Sequence, residues 1–199
     1  MYTSDLICVT NRRLCGEEFL TRVQRIAMAH PAAIILREKD LAPEAYEALA
    51  MQVQSICKDN AVPFIVHTFP EVALRLQADG LHLPLPLLRE LPEERKAGVP
   101  RLGTSCHSLE DAREAASLGA TYLVAGHIFE TDCKRGLPGR GLAFLQEIVD
   151  EVSLPVYGIG GIAQSNISRV RATGAKGACL MSSLMTTEDV GKLLLSLRV

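Results

Sequence analysis

Three groups of residues in this sequence have the types and spacing to do chemistry. The first is Gly126–Gly141, GHIFETDCKRGLPGRG, which directly follows the apolar run TYLVA at 121–125. It holds one histidine, His127, together with Thr131, two acids, three basic residues and four glycines. An imidazole, with an ordinary pKa of about 6.5, can both take and give a proton near neutral pH. A lone histidine is equally well explained by packing, and His67, His82 and His107 pose the same question. Cys133 has only Lys134 and Arg135 nearby in sequence to favour its thiolate, which is weak support for a nucleophile. Gly136, Gly139 and Gly141 mark a mobile loop of the kind that serves as a lid.

The second group is Gly160-Gly161 within GIGG at 158–161, paired with Ser182-Ser183. Glycines let backbone N–H groups approach an anion with no Cβ in the way, and a helix beginning after them adds its positive end. GIGG alone reads equally as a tight turn; the serines, with their N–H and hydroxyl donors, point to phosphate. The third group is Arg37 and Lys39, two cations one residue apart. They read either as a clamp for a carboxylate or second anion, or as a solvated rim balanced by Glu38 and Asp40.

Elements must place these groups together. Eight apolar runs of strand length recur along the chain: 6–10, 33–36, 63–67, 80–83, 101–106, 121–129, 155–159 and 178–181. Several are continuous in apolar residues, as when both faces of a parallel sheet are buried. Segments at helical spacing lie between them, at 17–30, 44–60, 109–118, 142–151 and 165–173. Ser108 is placed to cap the helix that starts at Leu109, and Gly119 and Gly174 to stop two helices. Pro63 and Pro155 stand at strand starts. Pro84, Pro86 and Pro92 leave the fourth unit only a short or irregular helix.

This alternation predicts an α/β fold, a single (β/α)₈ TIM barrel domain over residues 1–199, with a doubly wound open sheet as the alternative. A barrel puts chemistry at the C-terminal ends of its strands. Arg37, Lys39, His67, Ser105, His107, His127, Gly160, Gly161, Ser182 and Ser183 all follow or close an apolar run. In such a frame the loops after strands seven and eight are the usual phosphate site.

Composition narrows the partners. With 199 residues, 48% hydrophobic and a formal net charge of −2, the chain suits one buried core. It has no basic excess with which to bind nucleic acid. No apolar run approaches the roughly 20 residues of a membrane span, and Met1-Tyr-Thr-Ser-Asp5 carries no export signal pattern. Six cysteines without CxxC pairs, several inside apolar runs, read as reduced thiols of a cytoplasmic protein.

The chain resembles the thiamine-phosphate synthase superfamily across nearly its whole length. The residues that carry the resemblance are LREK at 36–39, GLHLP at 80–84, HSLEDA at 107–112, the loop at 126–141, GIGGI at 158–162 and the serines at 182–183. The resemblance implies a (β/α)₈ barrel, a role in the thiazole branch of thiamin synthesis and a homodimer. In the synthase branch, strand three ends in Asn-Asp and another Asp follows strand four, and these hold the Mg²⁺ of a pyrimidine diphosphate. This chain has His67-Thr68-Phe69 and Pro84-Leu85-Pro86 there. Synthases also read Gly-Pro-x-Phe-Pro-Thr-x-Thr-Lys in the sixth loop, where this chain reads Gly126-His127-Ile-Phe-Glu-Thr131-Asp-Cys-Lys134.

That loop resembles the thiazole tautomerase branch, whose active-site histidine falls at His127. The implied reaction aromatises a carboxythiazole phosphate bearing an exocyclic double bond, giving 2-(2-carboxy-4-methylthiazol-5-yl)ethyl phosphate. It needs no cofactor. The resemblance makes His127 the acid/base. Gly160, Gly161, Ser182 and Ser183 become the phosphate anchor, with Thr131, Lys134, Ser105, Arg37 and Lys39 as ligand-binding residues. A synthase lacking the usual metal ligands, and a non-catalytic barrel that binds a pathway ligand and regulates a partner, are the alternatives.

Overall fold

The computed structural model describes residues 5–197; the reading of an absent export signal therefore falls largely outside them, on residues 1–4. Eight parallel strands run in chain order: β1 Leu6–Val9, β2 Ala33–Leu36, β3 Phe64–His67, β4 Gly80–Pro84, β5 Leu102–Cys106, β6 Tyr122–Gly126, β7 Val156–Ile159 and β8 Gly177–Leu180. Each pairs with the next, and β1 pairs with β8 through Ile7 and Cys179, so the sheet closes into a barrel. Closure excludes the open-sheet alternative.

The helices are α1 Phe19–Met28, α2 Pro43–Asp59, α3 Pro70–Arg75, α4 Leu85–Glu90, α5 Glu93–Ala97, α6 Leu109–Ser117, α7 Gly141–Glu151, α8 Ile167–Ala172, α9 Ser182–Thr186 and α10 Val190–Ser196. Among the described residues no helix is long and apolar enough to cross a membrane. Ser108 caps α6 by accepting from the Asp111 N–H, and Gly119 and Gly174 take the left-handed conformation after α6 and α8, at φ 86° and 78°. The prolines of the fourth unit split it into α4 and α5, with Pro86 in the first turn of α4, where its missing N–H costs nothing.

Three of the boundaries that differ from the sequence reading bear on the cavity. The sixth strand stops at Gly126; Ile128 and Phe129 still donate to Ile159 O and Gly160 O, holding the chain beside β7 after regular pairing ends. Helix α8 begins only at Ile167, six residues after Gly161. Ser182 and Ser183 open α9 rather than ending β8.

Alternation along the strands makes two apolar layers. Leu6, Cys8, Leu123 and Ala125 face the helices in the larger core. Ile7, Val9, Ile35, Ile65, Tyr122, Val124 and Cys179 fill the lumen. Cys8, Cys57, Cys106 and Cys179 are buried free thiols, Cys15 is half-buried and Cys133 is exposed. The inward positions of β4 and β5 include His82, Gly103 and Ser105, with Pro84 at the end of β4. The lumen therefore has one polar sector, which opens into the cavity described next.

Candidate active site

A cavity of about 500 Å³ lies at the C-terminal ends of the strands, and all ten residues singled out in the sequence reach its wall. Around it the wall has three sectors.

His127 occupies the β6–β7 sector, half-buried, after a cis Gly126–His127 peptide. Its backbone is held on both sides. The Gly126 carbonyl accepts from His107 Nδ1 at 2.8 Å and from Arg140 Nε at 3.2 Å, and the His127 carbonyl accepts from the Arg140 N–H at 2.9 Å. The imidazole Nε2 lies 3.3 Å from the Leu137 carbonyl. A carbonyl only accepts, so the hydrogen of this bond sits on Nε2, and in the neutral ring Nδ1 is the basic nitrogen.

The two glycines after β7 are needed here for packing as well. At Gly160 (φ 97°) a Cβ would overlap the His127 side chain, and at Gly161 (φ 64°) it would overlap Glu130 O and crowd Phe129 at 2.7 Å. The expectation that a helix start follows these glycines is corrected by the late beginning of α8. The helix start on this rim belongs to α9, whose first residues are Ser182 and Ser183. The lid glycines divide similarly. Gly136 and Gly141 supply left-handed backbone, whereas Gly139 lets the loop close against Ile128 and Phe129.

The second sector is cationic. Arg37, Lys39 and Lys134 converge on the cavity, and the Lys39 ammonium is pushed to lower pKa, first by burial and then by Arg37 and Lys134. The two neighbouring acids, Glu38 between the cations and Asp40 after them, do not balance the pair, because both turn to other partners. Glu38 is 3% exposed and accepts from Thr10 Oγ1 at 2.7 Å and from the Arg12 N–H at 3.0 Å. Asp40 pairs with Arg12 at 2.6 Å and Arg13 at 2.8 Å. Among the described residues, neither Arg37 nor Lys39 has an ion-pair partner.

The third sector is the polar one below the rim. His67 and His82 stack with ring centroids 5.7 Å apart. His82 Nδ1 lies 3.1 Å from the Tyr122 hydroxyl and Nε2 2.9 Å from Ser105 Oγ. Burial pushes His82 down to about 3, with Arg37 adding to it. His67 goes down to about 2, from burial first and then from His82, Arg37 and Lys39. Both rings are neutral at pH 7.

This side chain set does not fit a divalent cation. The strand ends hold His67, Thr68 and Pro84, with Arg37 and Lys39 adding positive charge to the cavity wall. Asp111 on the cavity wall is engaged by the His107 N–H at 2.8 Å. Among the described residues no group of three or more His, Cys, Asp or Glu could hold a metal ion.

Sequence reasoning missed Tyr122, Arg140 and Arg89, the last of which also lines the cavity. The signal for Tyr122 was present: Gly103 sits directly opposite it on β5, and a Cβ there would overlap the phenol ring.

Comparison with known proteins places this geometry among relatives. The family profile described as thiamine monophosphate synthase matches residues 6–184. The thiamine-phosphate synthase of Syntrophomonas wolfei is 34% identical over 199 residues, covering 96% of this chain and 93% of that protein. The one from Roseiflexus sp. is 37% identical over 184 residues, covering 91% and 78%. Among solved structures, thiamine phosphate pyrophosphorylase from Pyrococcus furiosus superposes with a TM-score of 0.83 at 34% identity, covering 97% of this chain and 93% of that one. A 3-hexulose-6-phosphate synthase superposes with a TM-score of 0.74 at 15% identity, covering 97% of each chain, a likeness of fold alone.

Proposed function

The chain belongs to the thiamine monophosphate synthase family, and we propose that within it this protein is a thiazole tautomerase. The observation that carries the reading is His127, an imidazole whose Nδ1 is its basic nitrogen, on a cavity that bears Arg37, Lys39 and Lys134 and has His67, Thr68 and Pro84 where a synthase would carry carboxylates. A substrate with a carboxylate and a phosphate suits such a wall. A bound metal does not.

In the reaction, neutral His127 takes the ring proton beside the carboxylate. The electron pair released there forms a ring C=N bond, the former C=N becomes a ring C=C, and the exocyclic double bond opens toward its outer carbon. The imidazolium then returns a proton to that carbon, and the ring is aromatic. No atom or electron leaves the molecule. Arg37, Lys39 and Lys134 offset the carboxylate charge as it grows, with Thr131 beside them on the wall. The backbone at Gly160 and Gly161, with Ser182 and Ser183, holds the phosphate.

His127→Asn tests the reading. Turnover, followed as the ultraviolet change on aromatisation, should fall by about 10²- to 10⁴-fold, while affinity for the aromatic product is retained. Unchanged turnover removes the mechanism. Product binding without turnover in the unmodified protein would make it the non-catalytic barrel.

A second reading is supported by the relatives themselves, which are named thiamine-phosphate synthase. Incubation with the pyrimidine diphosphate, the thiazole phosphate and Mg²⁺ separates the two. The tautomerase reading expects no thiamin phosphate, and its formation at an enzymatic rate would establish the synthase instead.

A further inference from the structure

The mechanism above leaves one buried group unused, the Tyr122–His82–Ser105 array under the cavity floor. Its polarity can be worked out. Tyr122 is buried, and its hydroxyl stays protonated because burial pushes the phenol well above its ordinary range. Among the described residues its only hydrogen-bond partner is His82 Nδ1, at 3.1 Å. A buried O–H with no acceptor is costly, so Tyr122 donates and Nδ1 accepts. A neutral imidazole has one N–H, and it must therefore lie on Nε2. Nε2 is 2.9 Å from Ser105 Oγ and so donates to it. One lone pair of the Ser105 oxygen is occupied by that bond, and its own hydrogen is left to donate into the cavity that Ser105 lines.

We infer that Tyr122, His82 and Ser105 form a one-way hydrogen-bond chain that presents Ser105 to the ligand as a donor, to the carboxylate beside the reacting ring carbon. The carboxylate assignment rests on the tautomerase reading, whereas the polarity of the chain does not. Ser105 pairs in register with Val124, two residues before Gly126 and the His127 loop, so it stands beside the strand that carries His127, whereas the rim assigned to phosphate is on β7 and β8, two and three strands round the barrel from β5. The group above it is thus the end of the substrate from which His127 takes the proton. Charge grows on that carboxylate as the proton leaves, and a donor fixed in advance is worth more there than a hydroxyl free to turn. Tyr122 and His82 are positioning residues; Ser105 touches substrate. Gly103 belongs to the same device, because the Tyr122 ring lies over it and no side chain fits between them.

The test begins with nitrogen NMR of the free protein labelled in histidine. His82 should show a protonated Nε2 and a bare Nδ1, unchanged from neutral pH down to about pH 5, where an ordinary imidazole titrates. In Tyr122→Phe the bare-Nδ1 signature should give way to a tautomer mixture. In turnover, Ser105→Ala should lower kcat about tenfold to a hundredfold with a smaller change in product affinity. Tyr122→Phe should lower it less, and the double variant should be no worse than Ser105→Ala alone. A hydrogen on Nδ1 in the unmodified protein, or additive losses in the double variant, would overturn the chain. The expected tautomer in a protein that does not convert the thiazole would sink the carboxylate assignment and the tautomerase reading while leaving the donor chain standing.

Discussion

Glu38 settles the charge of the rim although it never meets the ligand. By turning inward to Thr10 and Arg12, it leaves Arg37 and Lys39 to the cavity. The two roles separate experimentally. Glu38→Ala strands the Thr10 hydroxyl and the Arg12 N–H, so it should destabilise the fold by about 1–3 kcal/mol in a denaturant titration. Arg37→Gln leaves every fold contact in place except the weak one to Met181 sulfur at 4.0 Å. It should raise KM about tenfold to a hundredfold with little change in melting temperature, and a normal KM would remove Arg37 from the site. The two cations were legible in LREK from their spacing. Which way Glu38 and Asp40 turned was not, because the arginine that takes them lies 26 and 28 positions away in sequence.

At the level of elements, glycines of similar backbone geometry do different work. Gly119 and Gly160 both hold positive φ, 86° and 97°. A Cβ at Gly119 meets nothing, whereas one at Gly160 strikes His127. Gly119→Ala should therefore cost only the left-handed strain, about 1–2 kcal/mol, with turnover unchanged. Gly160→Ala should cost that and, by moving the imidazole, slow turnover about a hundredfold or more; equal rates in the two variants would show that His127 needs no such seat. The strands could be read in advance because burial on both faces gives continuous apolar runs. The helices α3, α9 and α10 were not read, since elements of five to seven residues are too short to display a 3.6-residue period, whereas α8, of six residues, had the Gly174 stop to mark it. For the same reason Ser182 and Ser183 looked like a strand end. GIGG was read as an anion loop only together with Ser182 and Ser183 in a barrel frame, and the closed barrel shows that the same glycines also make room for the neighbouring loop.

For the whole molecule, the consequence of a polar sector in the lumen is a dependence of stability on acid. His67 and His82 have native pKa values below the unfolded value of about 6.5. The unfolded chain thus binds more protons over the interval between them. Stability is fully present above about pH 6.5 and is lost as pH falls below it, by up to about 1.4 kcal/mol per pH unit for each histidine, until the native values are reached. Denaturant midpoints should accordingly fall between pH 7 and pH 5, where most carboxylates, of ordinary pKa about 4, have yet to titrate. His67→Asn should flatten that slope by the share of one histidine. Its ring contacts are the stack on His82 and the Thr68 hydroxyl at 2.5 Å, so the Tyr122–His82–Ser105 bonds are left in place. A slope unchanged in His67→Asn would mean that the native ring takes up its proton as readily as the unfolded chain does. A cationic ring stacked on His82 beside Arg37 and Lys39 would then demand a counter-anion in the cavity even before substrate binds.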